Sequence, residues 1–361
     1  MRFVQYISRF FTRMDSVVNV AMEWSRAFAE LGYDVVLAHG TTDVWRDDLA
    51  PGIEEAYVTH AGVGKNLVPL SLGKVLRPGD VLIMHTDWRL GNLVAAAAAR
   101  RKGVPYVIVP HGEYYPEQLQ KVEHLAPARL AAERWLLRGS LAVHVFWPSE
   151  APLVQSFAPG TRCIAAPTGV NLTDARWKGG GGYLSWIGRY VVDHKGLDIL
   201  AGALATMDPE RRPHIELRGF DQQGQLDELR RLVASLGVGP AMHLGGTVVG
   251  DEKARFLSEA EAYVHPSRWE CHSVALLENL AIGVPSLVST GSHCASALAA
   301  AGAALVADPD EASLADGLDR LAAADLHQLS GAALAFAEEQ LRWDTNAKTF
   351  VDGVTRLLAD R

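Results

Sequence analysis

Short apolar runs alternate with longer stretches in which apolar residues recur at helical spacing, and this alternation continues along the chain. Residues 3–7 read as a strand. After a polar loop, Val17, Val20, Ala21, Trp24, Phe28 and Leu31 mark one face of a helix that Gly32 ends. Residues 35–38 supply the next strand, so the chain opens as a strand-helix-strand unit. Residues 81–84, a helix over 89–101 and residues 106–109 repeat the arrangement. A helix over 127–138 and strands at 142–146 and 163–166 complete a parallel sheet. Repeated crossovers of this kind predict a doubly wound domain.

The pattern breaks near residues 166–171, and Lys178 with the four glycines 179–182 reads as a flexible connection. It then resumes with strands at 183–187, 214–217, 241–244, 262–264 and 285–289. The helices between them lie near Leu197 to Leu204 and over 225–236, 251–259 and 273–282. Ser273 caps the last of these, Gly283 ends it and Pro285 prevents its resumption. An amphipathic tail through Phe350, Val354 and Leu357 closes the chain. The expected organisation is a domain over residues 1–170, a linker over 171–182, a second domain over 183–342 and a final helix over 343–361.

A length of 361 residues supports two domains, and 48% hydrophobic with 21% charged residues is a globular composition. No apolar run approaches the roughly 18 residues that would span a bilayer. The N-terminus lacks the basic-apolar-small order of a signal peptide. Cys163, Cys271 and Cys294 are widely spaced and odd in number, which indicates neither a disulfide framework nor a zinc motif and points to a reducing cytoplasm. The net charge of −8 is uneven: residues 1–170 carry 17 Lys+Arg against 16 Asp+Glu, the remainder 17 against 26. Such a balance argues against nucleic acid, and it leaves the first half free to meet an anionic acceptor or a membrane surface.

In a parallel sheet the loops after strands open at the carboxyl edge, where ligands bind and helix N-termini favour anions. Glu270 stands just before the helix over 273–282 and Glu278 lies on it. The two can grip hydroxyls of a ligand whose phosphates sit on the helix end; the plainer alternative pairs Glu270 with Arg268 and leaves Glu278 solvated. Arg189 and Lys195 fall in one strand-to-helix loop, so both can aim cations at phosphoryl oxygens or form an ordinary surface pair. In the first half, His85 and His111 each follow a strand at the same edge, as site residues or as hydrogen-bonded structural ones.

His265-Pro266-Ser267-Arg268-Trp269-Glu270, followed by Glu278 and Gly283-Val284-Pro285, resembles the signature of retaining nucleotide-sugar glycosyltransferases of family 4. Gly188-Arg189 with Lys195-Gly196-Leu197 is similar to that family's diphosphate clamp. The resemblance implies the GT-B architecture: two Rossmann-like, doubly wound parallel-sheet α/β domains facing each other across a cleft, with the final helix crossing back onto the first. It implies that Glu270 approaches the donor sugar, Glu278 holds the ribose hydroxyls, and Arg189, Lys195 and the amides near Ser273 and Val274 meet the diphosphate. Backbone at Gly219 and Gly245 would contact the base, although turn chemistry explains those glycines equally well. His111 would stand near the donor sugar, with His85, Asp87 and Trp88 as acceptor contacts; the alternative for Trp88 is packing against the following helix. Where the family places a Gly pair before the first helix, this chain has Asp15 and Ser16, which points that loop towards the acceptor. Arg9, Phe10, Phe11 and Arg13 nearby suggest a surface for a lipid-linked acceptor. Cys271-His272-Ser273 replaces the family's Gly-Phe-Gly, so the sugar is not named.

The expected activity is metal-independent transfer of a sugar, with retained configuration, from a UDP- or GDP-type donor to an acceptor hydroxyl in bacterial glycan or glycoconjugate synthesis. No cofactor is expected. The acceptor is a carbohydrate, a lipid-linked sugar or a small metabolite. The competing readings are a sugar-nucleotide epimerase of the same fold and a catalytically idle nucleotide-sugar binding protein. A dinucleotide oxidoreductase is disfavoured because no Gly-rich fingerprint follows the first strand.

Overall fold

The computed structural model describes every residue except 9–15, 41–50, 87, 123, 173 and 222–223, and the side chains of Ser16 and Lys65. It divides into two compact units, one comprising Met1–Gly169 with Trp343–Arg361 and the other Val170–Arg342. The segment 171–182 belongs to the second unit, where Trp177 Nε1 donates to the carbonyl of Ala260 at 2.8 Å.

The first unit is built on a parallel sheet whose strands run, in spatial order, Ile53–Tyr57, Asp34–His39, Arg2–Ile7, Asp80–His85, Tyr106–Val109, Ala142–Val145 and Cys163–Ala165. Its central strands are buried on both faces, which is why they read as nearly continuous apolar runs rather than as alternation. The order reverses between Arg2–Ile7 and Asp80–His85, and a ligand crevice forms at such a switch point in open α/β sheets. Ile53–Tyr57 escaped the sequence pattern because it is an edge strand carrying Glu54 and Glu55, as edges commonly do. The helix Trp343–Ala359 packs on the other side of the chain's start: the Phe350 ring lies 5.3 Å from Phe28 and 5.6 Å from Trp24. Trp343 meets Trp24 edge-on at 5.5 Å. Gly169 permits this approach, since a Cβ there would sit 2.4 Å from the Trp343 ring.

The second unit carries a six-stranded parallel sheet in the order Met242–Gly245, Ile215–Phe220, Leu184–Arg189, Ala262–His265, Ser286–Ser289 and Leu305–Ala307. Here the order reverses between Leu184–Arg189 and Ala262–His265. Those two strands pair only at Leu184 with Ala262 and Ser185 with Tyr263, so beyond that register their carboxyl ends are no longer paired. The core beneath is aliphatic, built from Leu197, Leu200, Leu204, Ile215, Leu217, Val264 and Leu287 around Trp186. Both sheets are the doubly wound α/β type expected from the alternating pattern.

Candidate functional site

At the switch point of the second unit, three carboxyl-edge loops lock together. The Arg268 amide donates to the His194 carbonyl at 3.0 Å, and its guanidinium donates to the Asp193 carbonyl and, as a fork, to both oxygens of Asp198 at 2.7 and 2.6 Å. Gly196, with φ +62°, lies so close to this strap that a Cβ would stand 2.0 Å from the Pro266 carbonyl oxygen. On the other side Glu270 donates its amide to the Gly291 carbonyl at 3.0 Å and accepts from the His293 amide at 3.1 Å.

That frame presents the candidate side chains. Glu270, 8% exposed, forms an ion pair and hydrogen bond with Lys195, and His194 Nε2 lies 3.9 Å from the same carboxylate oxygen. The pairing of Glu270 with Arg268 entertained above is not formed, because Asp198 and Asp193 engage that guanidinium. Burial pushes the Glu270 pKa upward, but Lys195, then His194 and His265, outweigh it and hold the carboxyl at about 2. Burial lowers His194 to about 4, with Lys195 and Arg189 adding to the effect against the opposing pull of Glu270. It lowers His265 to about 3, so both imidazoles are neutral at pH 7. The His194 ring stacks on Trp269 at 4.9 Å and 11°.

Ser273 has extended backbone and accepts from the Leu276 amide at 3.4 Å, capping Val274–Ile282 as its sequence predicts. Val274 is 43% exposed at the start of that helix, and Gly283 ends it with φ +82°. Glu278 is partly exposed and accepts from Lys253 Nζ at 2.7 Å. Among the described residues, His265 Nε2, Ser267 Oγ and Ser292 Oγ on these carboxyl-edge segments are buried with no hydrogen-bond partner, the state of polar groups that a ligand could satisfy. Gly219 and Gly245 have packing reasons of their own. A Cβ on Gly219 would lie 1.9 Å from the Gly188 carbonyl oxygen, and one on Gly245 2.1 Å from the Arg218 guanidinium.

The first unit assembles a different cluster at its own switch point. His85 is 2% exposed; its Nε2 lies 2.7 Å from Gln5 Oε1 and its Nδ1 3.0 Å from His111 Nε2. His111, Thr86 and Trp88 have positive φ values of 55°, 63° and 56°, costly for non-glycine residues and concentrated where function so often lies. Arg89 Nε donates to Thr86 Oγ1 at 2.6 Å, and Asn92 donates to the Thr86 carbonyl, which fixes this strained loop. Trp88 packs edge-on against Phe157 at 5.4 Å and lies 6.2 Å from Tyr114, so its ring joins the core of the first unit. Beneath it the fully buried Glu133 accepts from the Trp88 amide and the Tyr114 hydroxyl at 3.3 and 3.1 Å. Burial raises the Glu133 pKa despite these bonds.

The structure thus gathers Lys195, Glu270 and Ser273 around one sheet edge, with Arg189 at the end of the adjoining strand. It gathers His85 and His111 at the other unit's edge. Asp15, Asp87, Arg9, Phe10, Phe11 and Arg13 fall outside the described residues, as does the side chain of Ser16. Sequence reasoning missed His194, Lys253 and Gln5, and quoted His265 without giving it a role. Gln5 carried a usable signal, being the polar residue inside an otherwise apolar buried strand; Lys253 carried none.

Comparison with known proteins agrees with this geometry. Residues 181–324 match the model for glycosyl transferases group 1, and residues 17–169 match that for the glycosyl transferase 4-like domain. The chain is 29% identical over 350 residues to the D-inositol 3-phosphate glycosyltransferase of Frankia alni, covering 83% of this chain and 84% of that one. Among solved structures, sucrose-phosphate synthase from Thermosynechococcus elongatus superposes with a TM-score of 0.74 at 18% identity, covering 100% of each chain. Anabaena HepE in complex with UDP superposes with a TM-score of 0.75 at 14% identity, covering 99% of this chain and 100% of that one.

Proposed function

The chain belongs to the group 1 glycosyltransferases of GT-B fold, and from that premise we propose that it transfers a sugar from a nucleoside-diphosphate donor to an acceptor hydroxyl with retention of configuration. The observation that carries this reading is the part-buried Lys195–Glu270 pair, set at a topological switch point beside a capped helix N-terminus. A diphosphate entering there meets Lys195 as a compact cation, Arg189 as a planar fork, and the backbone amides at Ser273 and Val274. Glu278 supplies a carboxylate for the ribose hydroxyls, exchanging its bond from Lys253. Glu270, ionised at neutral pH, accepts from hydroxyls of the donor sugar.

In the reaction so assigned, the bond from the anomeric carbon to the diphosphate oxygen breaks through an oxocarbenium-like state. The acceptor oxygen attacks the face the diphosphate leaves, and its proton passes to the departing phosphate oxygen. Lys195 and Arg189 stabilise the charge that develops on that oxygen, so the clamp needs no metal. His111 contacts the reacting sugar, and His85, being buried, acts through His111. UDP, complexed with the Anabaena neighbour, is the first nucleotide to try.

The test is a thermal-shift panel of UDP, GDP, ADP and dTDP with their sugar conjugates, with and without magnesium. A metal-independent rise in Tm with one nucleoside diphosphate supports the donor site, since a ligand selective for the native state stabilises it. Absence of any shift counts against it. A shift followed by sugar release or transfer only in the presence of an acceptor separates a transferase from an epimerase or an idle binding protein.

A further inference from the structure

A second cluster of ionisable side chains lies at the opposite end of the same sheet. His214 immediately precedes the strand Ile215–Phe220, Glu216 is two positions on, and Glu216 pairs across the ladder with His243 of the edge strand Met242–Gly245. Side chains alternate along a strand, so His214 and Glu216 share a face, and register places His243 on it too. One carboxylate oxygen, Glu216 Oε1, is 2.8 Å from His214 Nε2 and 3.1 Å from His243 Nδ1. The two rings meet at 4.5 Å and 64°.

We propose that His214, Glu216 and His243 form a binding site for a borderline divalent transition-metal ion of the zinc type. Two imidazole nitrogens and one carboxylate oxygen lie within 4.8 Å of one another. Zinc arms of about 2.0–2.2 Å in tetrahedral geometry separate the ligand atoms by about 3.3 Å, so small side-chain movements convert the hydrogen-bonded cluster into a coordination set. Both rings are exposed, which leaves the fourth position to water. The donor set favours zinc, nickel or copper over magnesium and calcium, which prefer all-oxygen sites. Arg218 acts in two directions. Its guanidinium holds Glu216 Oε2 at 3.0 Å and thereby turns Oε1 towards the imidazoles, while its charge repels a cation and limits affinity.

The site lies at the amino ends of its strands, away from the carboxyl edge that carries Lys195 and Glu270, so it is a structural staple between the edge strand and its neighbour. It stands independently of the transferase reading. Calorimetric titration of the full chain with zinc chloride at neutral pH tests it. The wild type binds one ion that His243→Ala and Glu216→Gln each weaken by at least tenfold, zinc raises the Tm of the wild type but not of His243→Ala, and magnesium chloride does neither. Identical isotherms for wild type and both variants would overturn the assignment by placing zinc elsewhere, and so would a wild type that binds none.

Discussion

His85 Nδ1 lies 3.0 Å from His111 Nε2 while its other ring nitrogen faces Gln5 Oε1 at 2.7 Å, so one buried amide sets the protonation pattern of two imidazoles. An amide oxygen only accepts, so His85 Nε2 carries a proton. Burial, aided by His144, lowers His85 to about 3 and keeps it neutral; its Nδ1 therefore accepts, and His111 Nε2 donates. Gln5→Leu should redistribute the His111 tautomers, seen in ring nitrogen-15 shifts, and lower turnover about tenfold or more. Unchanged shifts would remove Gln5 from this role whatever the activity does.

The Lys195–Glu270 pair makes single substitutions at this site ambiguous. Lys195→Ala leaves a buried carboxylate unpaired, which costs about 3–5 kcal/mol in comparable cases, so lost activity is mixed with lost stability. Lys195→Ala combined with Glu270→Gln removes both charges. The double variant should regain most of the Tm lost by Lys195→Ala while turnover stays lower by orders of magnitude. Near-wild-type turnover in the double variant would end the clamp assignment.

Gly196 is required by space as well as by backbone. Gly196→Ala meets a positive φ and a carbonyl oxygen at 2.0 Å, and should cost several kcal/mol, more than the roughly 1 kcal/mol of a left-handed alanine. Gly224→Ala, with φ +74° and nothing among the described residues within 4 Å, should show only that smaller loss. Denaturant melts of the pair measure the difference.

Two buried carboxylates give opposite pH signatures. Glu270 is lowered to about 2, so its contribution to stability is complete above about 4.5 and is lost as pH falls towards 2. Glu150 is raised by burial to about 7, despite accepting from the Trp147 and Phe146 amides and the Tyr115 hydroxyl. The folded first unit then holds a proton that the unfolded chain has released, so stability declines as pH rises from about 4.5 to 7, by on the order of 3 kcal/mol. Glu150→Gln should flatten the unfolding free energy over that interval; an unchanged slope would show that Glu150 titrates normally.

Phe350 is fully buried among Trp24, Phe28, Phe3 and His144. Phe350→Ala should cost about 3–5 kcal/mol and lower the Tm of the first unit, read by the near-ultraviolet signal of its tryptophans.

Periodicity alone determined the α/β class and placed nearly all central strands within a residue or two, because a strand buried on both faces is predominantly apolar. It also located the capped helix Val274–Ile282, whose Ser273 and Gly283 act within a turn of the residues they serve. The edge strands Ile53–Tyr57 and Leu305–Ala307 were not legible, since half-exposed positions carry little apolar signal, whereas the edges Cys163–Ala165 and Met242–Gly245 were. Which charges meet was decided by the tertiary structure. Lys195 and Glu270 are 75 positions apart, Gln5 and His85 are 80 apart, and the Arg268 that stands two residues from Glu270 is instead claimed by Asp198. A cap or a helix face is written in local spacing, whereas an ion pair depends on where crossovers return the chain, and no periodicity records that.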